Sequence, residues 1–282
     1  MANNPKISQF LFLCVPLLAP IFGCQNGASA DSSSENQPRQ TLQSEQKVPT
    51  LPMNNGIVIF IDKTSSLQDV AAEESQRGSK WLFNQIKPVI SSSGGKVTIY
   101  FIHKSLESAS PFFEDDFAIP DTRDMTTFPA RRAVELFAHR IDSILYSKIK
   151  EAVETPIKKD PGEETDLFVS LKKANDRFTG LPSVGKKMIL YYSDMIESVK
   201  DVKCGKDYQK IYFKTVPEAD ETGRKDAIPI RKCFGLDKLP QNTAVSLFIP
   251  TGSLELNKHR HIPDYWRALF GEFGVKELVS NL

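Results

Sequence analysis

Short runs of β-branched and apolar residues alternate along this chain with longer segments in which apolar residues recur every three or four positions. The short runs predict strands at residues 57–61, 96–103, 187–194 and 244–250. The longer segments predict helices at residues 67–89, 129–154, 165–178 and 263–273. Residues 108–120 are ambiguous and compatible with a short edge strand. Because alternating strands and helices build covered parallel sheets, we predict an α/β fold with a mostly parallel central sheet and helices on both faces.

Two segments do not follow this alternation. Residues 24–53 are rich in Ser, Gln, Asn, Glu and Pro and contain few large apolar side chains, which predicts a flexible tether. Residues 197–242 lack clear periodicity and contain Cys204 and Cys233, so we interpret them as an insertion held by its own disulfide. The folded domain is therefore predicted to span residues 54–282.

The N-terminal segment has the features of a bacterial export signal. Lys6 precedes an apolar run from Phe10 to Phe22, which is too short for a membrane-spanning helix. Gly23 and Cys24 follow the run, and a small residue directly before a cysteine resembles a lipoprotein cleavage site. This resemblance implies that residues 1–23 are removed, that Cys24 is acylated, and that the protein is anchored to a membrane outside the cytoplasm.

The alternative to acylation is ordinary secretion, with cleavage near Ala28 or Ala30. Where Cys24 is acylated, the next residue bears on the destination. In lipoproteins an Asp at that position often marks retention at the inner membrane. Gln25 stands there instead, which favours the outer membrane in a host with two membranes.

The cysteines agree with an oxidising compartment. Of four cysteines, Cys14 would leave with the signal peptide and Cys24 would carry lipid. Cys204 and Cys233 then remain as an even pair, which we predict to form a disulfide.

The charge balance argues against nucleic acid as a partner. The chain contains 36 Lys and Arg and 35 Asp and Glu residues, a formal net charge of +1. Lys6 is the only charged residue among the first 23, so the mature chain is neutral. Binding to a phosphate backbone requires a basic excess or a basic stripe, and neither is evident.

Five oxygen-bearing side chains lie where predicted strands end or a predicted helix begins: Asp62, Thr64, Ser66, Thr165 and Asp194. In an open α/β sheet, residues beyond the carboxyl ends of neighbouring strands converge in one crevice. Alternate residues at a strand end lie on one side of the chain, which explains the spacing of the first three. Carboxylate and hydroxyl oxygens are ligands for a hard cation such as Mg²⁺, with Mn²⁺ or Ca²⁺ as alternatives.

The order Asp62-x-Thr64-x-Ser66, then Thr165, then Asp194 resembles the metal-ion-dependent adhesion site of the von Willebrand factor A (VWA) family. The resemblance covers nearly the whole mature chain. It implies that Thr64, Ser66 and Thr165 bind the ion directly, whereas Asp62 and Asp194 bind it through water. A carboxylate from a protein partner would fill the remaining octahedral position, so the resemblance implies a binding domain rather than an enzyme.

Three features depart from the family pattern. Thr64 stands where the family has Ser, and Glu163 and Glu164 precede Thr165 where small residues are more frequent. Met195 follows Asp194 at a position where the family often has Gly. These differences bear on ligand choice more than on the fold.

Simpler interpretations exist for individual residues. Ser66 is suited to cap a helix that begins near Leu67. His259 and His261 are spaced for a transition metal but also fit a solvated helix start, and His103 fits a structural role.

Two other functional classes remain open. A metal-independent scaffold would use the surface of the domain, including the segment that contains Cys204 and Cys233. A phosphotransferase would use Asp62 as its nucleophile, but such enzymes have a second Asp at the position of Thr64, and no general acid or base is evident nearby.

Overall fold

The computed structural model describes residues 48–64, 67, 70–102, 106–155, 165–198, 212–251 and 260–281. These residues form six strands: β1 (Gly56–Asp62), β2 (Gly95–Ile102), β3 (Phe113–Phe117), β4 (Lys187–Tyr192), β5 (Thr243–Phe248) and β6 (Glu277–Ser280). They also form six α-helices: α1 (Ala72–Ser93), α2 (Thr127–Arg140), α3 (Tyr146–Glu154), α4 (Leu167–Phe178), α5 (Val216–Phe234) and α6 (Ile262–Glu272). A π-helical segment, Ile141–Leu145, joins α2 to α3. Across these described stretches, no helix has both the length and the apolarity that a bilayer crossing requires.

The six strands form one sheet in the order β3-β2-β1-β4-β5-β6. All neighbouring pairs are parallel except β2 and β3, which are antiparallel. β1 lies between β2 and β4, with Gly56 level with Lys96 and Lys187 at the amino edge of the sheet. The predicted α/β fold with a mostly parallel sheet is therefore confirmed, and the ambiguous segment contains the antiparallel edge strand β3.

The central strand β1 is buried along its whole length, because both faces of the sheet are covered. Ile57, Ile59 and Ile61 lie in one apolar cluster, whereas Val58 and Phe60 lie in the other. A strand buried on both faces is expected to be continuously apolar, as the sequence of β1 is.

Helices pack on both faces. The face that contains Ile59 is covered by α1 and α3, through side chains such as Ile86 and Ile149. The opposite face is covered by α4, α5 and α6, through side chains such as Phe168 and Trp266. The covering of both faces, predicted from the alternation of elements, is confirmed.

The helix predicted at residues 129–154 is continuous but not uniform. Its central five residues, Ile141–Leu145, widen into a π-helical turn, and the flanking residues Arg140 and Tyr146 keep right-handed helical backbone angles. α3 contributes buried side chains to the core, whereas no residue of α2 is buried. Phe137 of α2 packs against the core while half-buried, and the fully buried side chains of this long helix begin at Ile141.

Segment 197–242, whose sequence lacks clear periodicity, contains a regular helix, α5, over residues 216–234. α5 packs closely on α6: a Cβ added to Gly223 would lie 2.4 Å from the carbonyl oxygen of Tyr265. The helix also contains Pro229, which is uncommon inside helices. Gly and Pro residues weaken the sequence signal for a helix, although packing against α6 supports this one.

Two element boundaries also differ from prediction. α1 begins at Ala72 with Ala71 as its N-cap, five residues after the predicted start near Leu67. Ser66, the predicted cap, lies outside the described residues. Glu73 and Glu74 lie in the first turn, where acidic side chains favour the helix dipole. The short edge strand β6 was not predicted, because its four residues alternate between exposed and half-buried positions.

The described chain begins beside the loop that follows β3. Thr50 forms a β-bridge with Pro120. The Leu51 amide donates to the carbonyl oxygen of Ile119. Residues 48–51, which the sequence places in the predicted tether, are thus bonded to the domain at the amino edge of its sheet.

Candidate functional site

The site lies at the carboxyl ends of β1 and β4, which are neighbours. Asp62 is the last residue of β1, and Asp194 follows the last residue of β4 by two positions. Ile61 pairs with Tyr192 in the sheet, so both carboxylates emerge at the same edge. The topology expected for an open α/β crevice is therefore present at these two positions.

Both carboxylate oxygens of Asp62 accept hydrogen bonds. Its Oδ1 accepts from the Thr64 backbone amide at 2.9 Å and from the Thr64 hydroxyl at 2.8 Å. Its Oδ2 accepts from the Ser193 hydroxyl at 2.7 Å. Burial raises the pKa of Asp62, and these hydrogen bonds together with the charge of Lys63 act in the opposite direction.

Lys63 points away from the carboxylates towards the C-terminus of α3. Its Nζ donates to the carbonyl oxygens of Val153 and Thr155, at 3.0 and 2.7 Å, and lies over the ring of Phe101. Burial lowers the pKa of Lys63 to about 8, although the charge of Asp62 opposes this shift. Lys63 thus ties the end of β1 to the helix on one face of the sheet.

The Asp194 loop is held in a turn with left-handed backbone. Asp194 is buried, and its Oδ1 accepts from the Ile196 amide at 3.0 Å. Met195 has φ of 59°, a region that residues other than glycine rarely adopt. Its carbonyl oxygen accepts from Trp266 Nε1 at 2.8 Å, and its amide donates to Ser193 Oγ at 2.9 Å. A buried methionine therefore adopts a backbone angle that glycine adopts without strain.

Thr165 is buried and lies directly before α4. Its amide donates to Ser198 Oγ at 2.8 Å, and its carbonyl oxygen accepts from the Ser198 amide at 3.2 Å. Asp166 caps α4 by accepting from the Val169 amide. Buried Glu197 accepts from the amides of Leu167 and Phe168, which places a carboxylate at the positive end of the helix. The Thr165 loop is therefore joined to the Asp194 loop by paired hydrogen bonds.

The hydrogen bonds connect three of the segments singled out from the sequence. Ser193 joins the Asp62 segment to the Asp194 loop, and Glu197 and Ser198 join that loop to Thr165. Ser66 lies outside the described residues, as do Glu163 and Glu164.

Sequence reasoning missed the three joining residues: Ser193, Glu197 and Ser198. The one available signal was their position within four residues of Asp194, at or just beyond the end of a predicted strand. Residue type alone did not indicate them, because Ser and Glu are frequent in loops.

The donor set suits a hard cation. Asp62, Asp194, Thr64 and Thr165 are each at most 3% exposed. They supply two carboxylates and two hydroxyls, the oxygen ligands that Mg²⁺ and Ca²⁺ prefer. Within the described part of the chain, no cluster of three or more His, Cys, Asp or Glu side chains forms a metal cage. The candidate site differs from such a cluster, because two of these four proposed ligands are threonine hydroxyls.

A cleft opens beside Asp62 and Thr64, with a volume of about 590 Å³. Its walls come from the start of α1, the end of α3, and the ring of Tyr192. Leu67, Val70 and Val153 make part of its lining apolar. The candidate site thus lies next to a space that an extended segment of another molecule could occupy.

The other candidates from the sequence are only partly described. Cys233 is disulfide-bonded, but Cys204 lies outside the described residues, so their pairing stays a prediction. His261 contacts Asp264 and Arg260 in a local network at the start of α6. His103 and His259 lie outside the described residues, as do Cys14 and Cys24.

Comparisons with known proteins add little to this geometry. No family model matches the chain, and no curated protein matches it. The pilus adhesin SpaC from Lactobacillus rhamnosus GG, in an open conformation, aligns with a TM-score of 0.42 and 8% identity, covering 83% of this chain and 28% of the adhesin. The human COPII-coat protein Sec24c aligns at 0.38 and 11%, covering 81% and 30%.

A third structure, proximal thread matrix protein 1 from the mussel byssus, aligns with a TM-score of 0.33 and 9% identity, covering 77% of this chain and 47% of that one. The chain therefore spans less than half the length of each of these three structures. Likeness at this level identifies neither a family nor a function for the chain.

Proposed function

We propose that this protein is an extracytoplasmic binding protein, anchored to a membrane by lipid on Cys24, with a VWA-like domain. A divalent cation at the carboxyl edge of the sheet binds a carboxylate of a protein partner. The observation that supports this proposal is that Asp62, Thr64, Thr165 and Asp194 are all buried and lie on segments joined by hydrogen bonds. Mg²⁺ is the expected ion, and Mn²⁺ or Ca²⁺ could replace it.

The roles of the residues follow from their chemistry and from the family resemblance. Thr64, Ser66 and Thr165 offer neutral hydroxyl oxygens to the ion, and Asp62 and Asp194 hold its bound waters. The Thr64 hydroxyl donates its proton to Asp62, and its oxygen would bind the cation through a lone pair. Because the proposed direct ligands are neutral hydroxyls and the two carboxylates bind through water, a direct position on the ion is left for an anionic ligand from outside.

Local charge supports a cation at this edge. Asp62, Asp194 and Glu197 are all buried, and the hydrogen-bond donors to Asp62 are neutral. Buried carboxylates are costly unless a positive charge or good donors compensate them. A divalent ion would compensate two of these charges at once.

The second candidate is a metal-independent scaffold. It is favoured by the completeness of the polar network, since both oxygens of Asp62 already accept hydrogen bonds and Glu197 already caps α4. A network of this kind also stabilises a domain that binds no ion.

Thermal unfolding of the mature chain distinguishes the two candidates. The protein is first treated with EDTA and then given millimolar Mg²⁺ or Mn²⁺. A cation present at ten- to a hundredfold its Kd should add about 1.4 to 2.7 kcal/mol to the free energy of unfolding. That corresponds to a rise of a few degrees in Tm for a domain of this size.

The matched variants are Asp194→Ala, which removes a proposed ligand, and Asp237→Ala, which removes an exposed carboxylate before β5. The cation-dependent rise in Tm should disappear in the first and persist in the second. A wild-type protein whose Tm is the same in EDTA and in each cation would overturn the metal site and leave the scaffold. Partner binding is then tested with acidic peptides, whose capture should require both the cation and Asp194.

A further inference from the structure

The cleft beside the carboxyl edge of the sheet is continuous with the proposed cation site, because the proposed ligands Asp62 and Thr64 both line it. A partner carboxylate that binds the cation would therefore lie at this cleft. An extended chain advances about 3.3 Å per residue, so the residue next to that carboxylate would lie over the cleft as well. The chemistry of the cleft walls then determines which residue the partner carries there.

Two helices form the walls of the cleft. α1 follows β1, and the end of α3 is tied to β1 by the bond from Lys63 Nζ to the carbonyl oxygen of Val153. Further from the carboxyl edge the two helices touch, since the ring centroids of Phe83 and Tyr146 are 5.2 Å apart. At the carboxyl edge the cleft lies between them, and each helix lines it with residues at helical spacing: Ala72, Ser75 and Gln76 of α1, and Lys150, Val153 and Glu154 of α3.

One part of the lining is apolar. Leu67 and Val70, which precede α1, are half-buried, and Val153 and the ring of Tyr192 are buried. Displacing water from apolar surface is favourable, and the gain grows with the apolar area that is covered. This part of the cleft therefore suits an apolar side chain of the partner.

The size of the cleft suits more than the carboxylate alone. Its volume is about 590 Å³, within the range of roughly 300–1,000 Å³ that is usual for ligand pockets. At about 30 Å³ for each water, the space corresponds to roughly twenty waters. A carboxylate at the cation displaces only a few of these, so the cleft has room for a large side chain beside it.

Exposed carboxylates stand on both walls of the cleft. Glu73 belongs to the first turn of α1, and Glu154 ends α3. Glu154 lies 3.9 Å from Lys150, whereas within the described part of the chain Glu73 forms no salt bridge. Lys63, the other cation of the lining, is held by two backbone carbonyl oxygens at the end of α3. Because like charges repel, these walls disfavour a second acidic residue beside the one that binds the cation.

We propose that the cleft receives a large apolar side chain of the partner, next in sequence to the carboxylate that binds the cation. The partner segment is thus exposed and extended, with Asp or Glu beside Leu, Ile, Met or Phe. The inference rests on the proposed function, because the cation supplies the attachment for the carboxylate. The cation selects an acidic residue, and the cleft selects among acidic segments by the neighbouring residue.

Peptides test this pairing on the mature chain, residues 24–282 with Cys24→Ser. Four biotinylated peptides differ only in two central residues, Glu-Leu, Glu-Ser, Glu-Glu or Gln-Leu, between flanking glycines. Their binding is measured by biolayer interferometry in millimolar Mg²⁺ and in EDTA. In Mg²⁺ the Glu-Leu peptide should bind roughly ten- to a hundredfold more tightly than Glu-Ser, the factor expected for burial of a leucine side chain. The Glu-Glu peptide should bind no more tightly than Glu-Ser, and Gln-Leu should not bind.

Three variants with exposed substitution sites locate the apolar contact. Gln76→Trp places a large side chain in the cleft and should reduce binding of Glu-Leu to the level of Glu-Ser. Lys80→Trp, further along α1 and outside the cleft lining, is the matched control and should leave Glu-Leu binding unchanged. Glu73→Gln should strengthen binding of Glu-Glu about two- to fivefold without changing that of Glu-Leu. Circular dichroism establishes that each variant is folded.

The possible failures are distinguishable. Equal binding of Glu-Leu and Glu-Ser in Mg²⁺, with loss of both in EDTA, overturns the cleft inference and leaves the proposed cation site intact. Equal weakening by Gln76→Trp and Lys80→Trp also overturns the inference. Equal binding of Glu-Leu and Gln-Leu in EDTA overturns the pairing of the apolar residue with a cation-bound carboxylate. Absence of binding by all four peptides overturns the inference too, and the cation-dependent rise in Tm then decides separately whether the metal site exists.

Discussion

The hydroxyl of Ser193 donates a 2.7 Å hydrogen bond to Oδ2 of Asp62, across two neighbouring parallel strands. The same oxygen of Ser193 accepts from the Met195 amide at 2.9 Å. One small side chain therefore fixes both the carboxylate at the end of β1 and the turn that follows β4. It does so without being a proposed ligand.

Substitution Ser193→Ala should destabilise the protein by about 1–3 kcal/mol, because it leaves a buried carboxylate oxygen and a buried amide without their partner. Urea unfolding measures this loss as a lower midpoint. Ser143→Ala, which removes an exposed hydroxyl bonded only to the preceding helical turn, is the control and should change stability by less than about 0.5 kcal/mol. Equal midpoints for the two variants would contradict the role given to Ser193.

Substitution Asp62→Asn should have opposite effects with and without a cation. The folded-state pKa of Asp62 is raised above its ordinary value, so its contribution to stability is greatest at low pH and is lost as pH rises through that raised pKa. In EDTA, Asp62→Asn should therefore gain stability relative to wild type as the pH rises above about 4, the ordinary pKa of an Asp side chain. In Mg²⁺ it should lose the cation-dependent gain. Urea titrations across this range test both statements, and parallel curves for the two proteins in EDTA would refute the first.

The amine of Lys63 should react with acylating reagents at unusually low pH. With a pKa of about 8, half of it is neutral at pH 8, whereas an ordinary lysine is about 0.4% neutral there. Mass spectrometry of labelled peptides from pH 7 to 10 should give a midpoint near 8 for Lys63. Lys80, exposed on α1, is the reference, and a shared midpoint for both lysines would contradict the prediction.

At Met195, the glycine variant should be more stable than the alanine variant, the reverse of the usual order. Loss of its buried side chain destabilises both variants by about 2–5 kcal/mol. Alanine also retains the left-handed backbone angle of 59°, which glycine adopts without strain. Met195→Gly should therefore be more stable than Met195→Ala by about 1 kcal/mol in denaturant unfolding. A more stable alanine variant would show that the turn changes its backbone.

Replacing each of two helical glycines with alanine should change the stability of the protein in opposite directions. Gly223→Ala should destabilise the protein by about 1–3 kcal/mol, since its new Cβ would lie 2.4 Å from a backbone oxygen of α6. Gly271→Ala meets no atom within 4 Å and should stabilise α6 by up to about 1 kcal/mol. Thermal unfolding of both variants checks the pair, and a change of the same sign in both would contradict the close approach of α5 to α6.

The parts of the fold that were predictable are those whose burial shows in local sequence. β1 and β4 are buried on both faces and read as continuous apolar runs, so their positions and their carboxyl ends could be inferred. α5 could not, because Gly223 and Pro229 obscure its periodicity and its support comes from α6. β6 is too short and too exposed to produce a pattern.

The candidate site likewise has residues that could be predicted from the sequence and residues that could not. Asp62 and Asp194 follow strands, so their convergence follows from sheet topology. The hydrogen bonds through Ser193, Glu197 and Ser198 join residues up to 131 positions apart, and no local pattern encodes them. The left-handed angle at Met195 was equally hidden, since methionine does not favour it.

The path of the chain into the sheet determines how the domain bears mechanical load. Tension arriving through residue 48 first meets the backbone bonds between Leu51 and Ile119 and between Asp121 and Pro49. It then passes into β1, which is held along its length by β2 on one side and β4 on the other. Both neighbours are parallel, so pulling on the start of β1 shears many hydrogen bonds together instead of opening them one by one. The central strand therefore carries a pull that arrives at residue 48 and passes it to both of its neighbours.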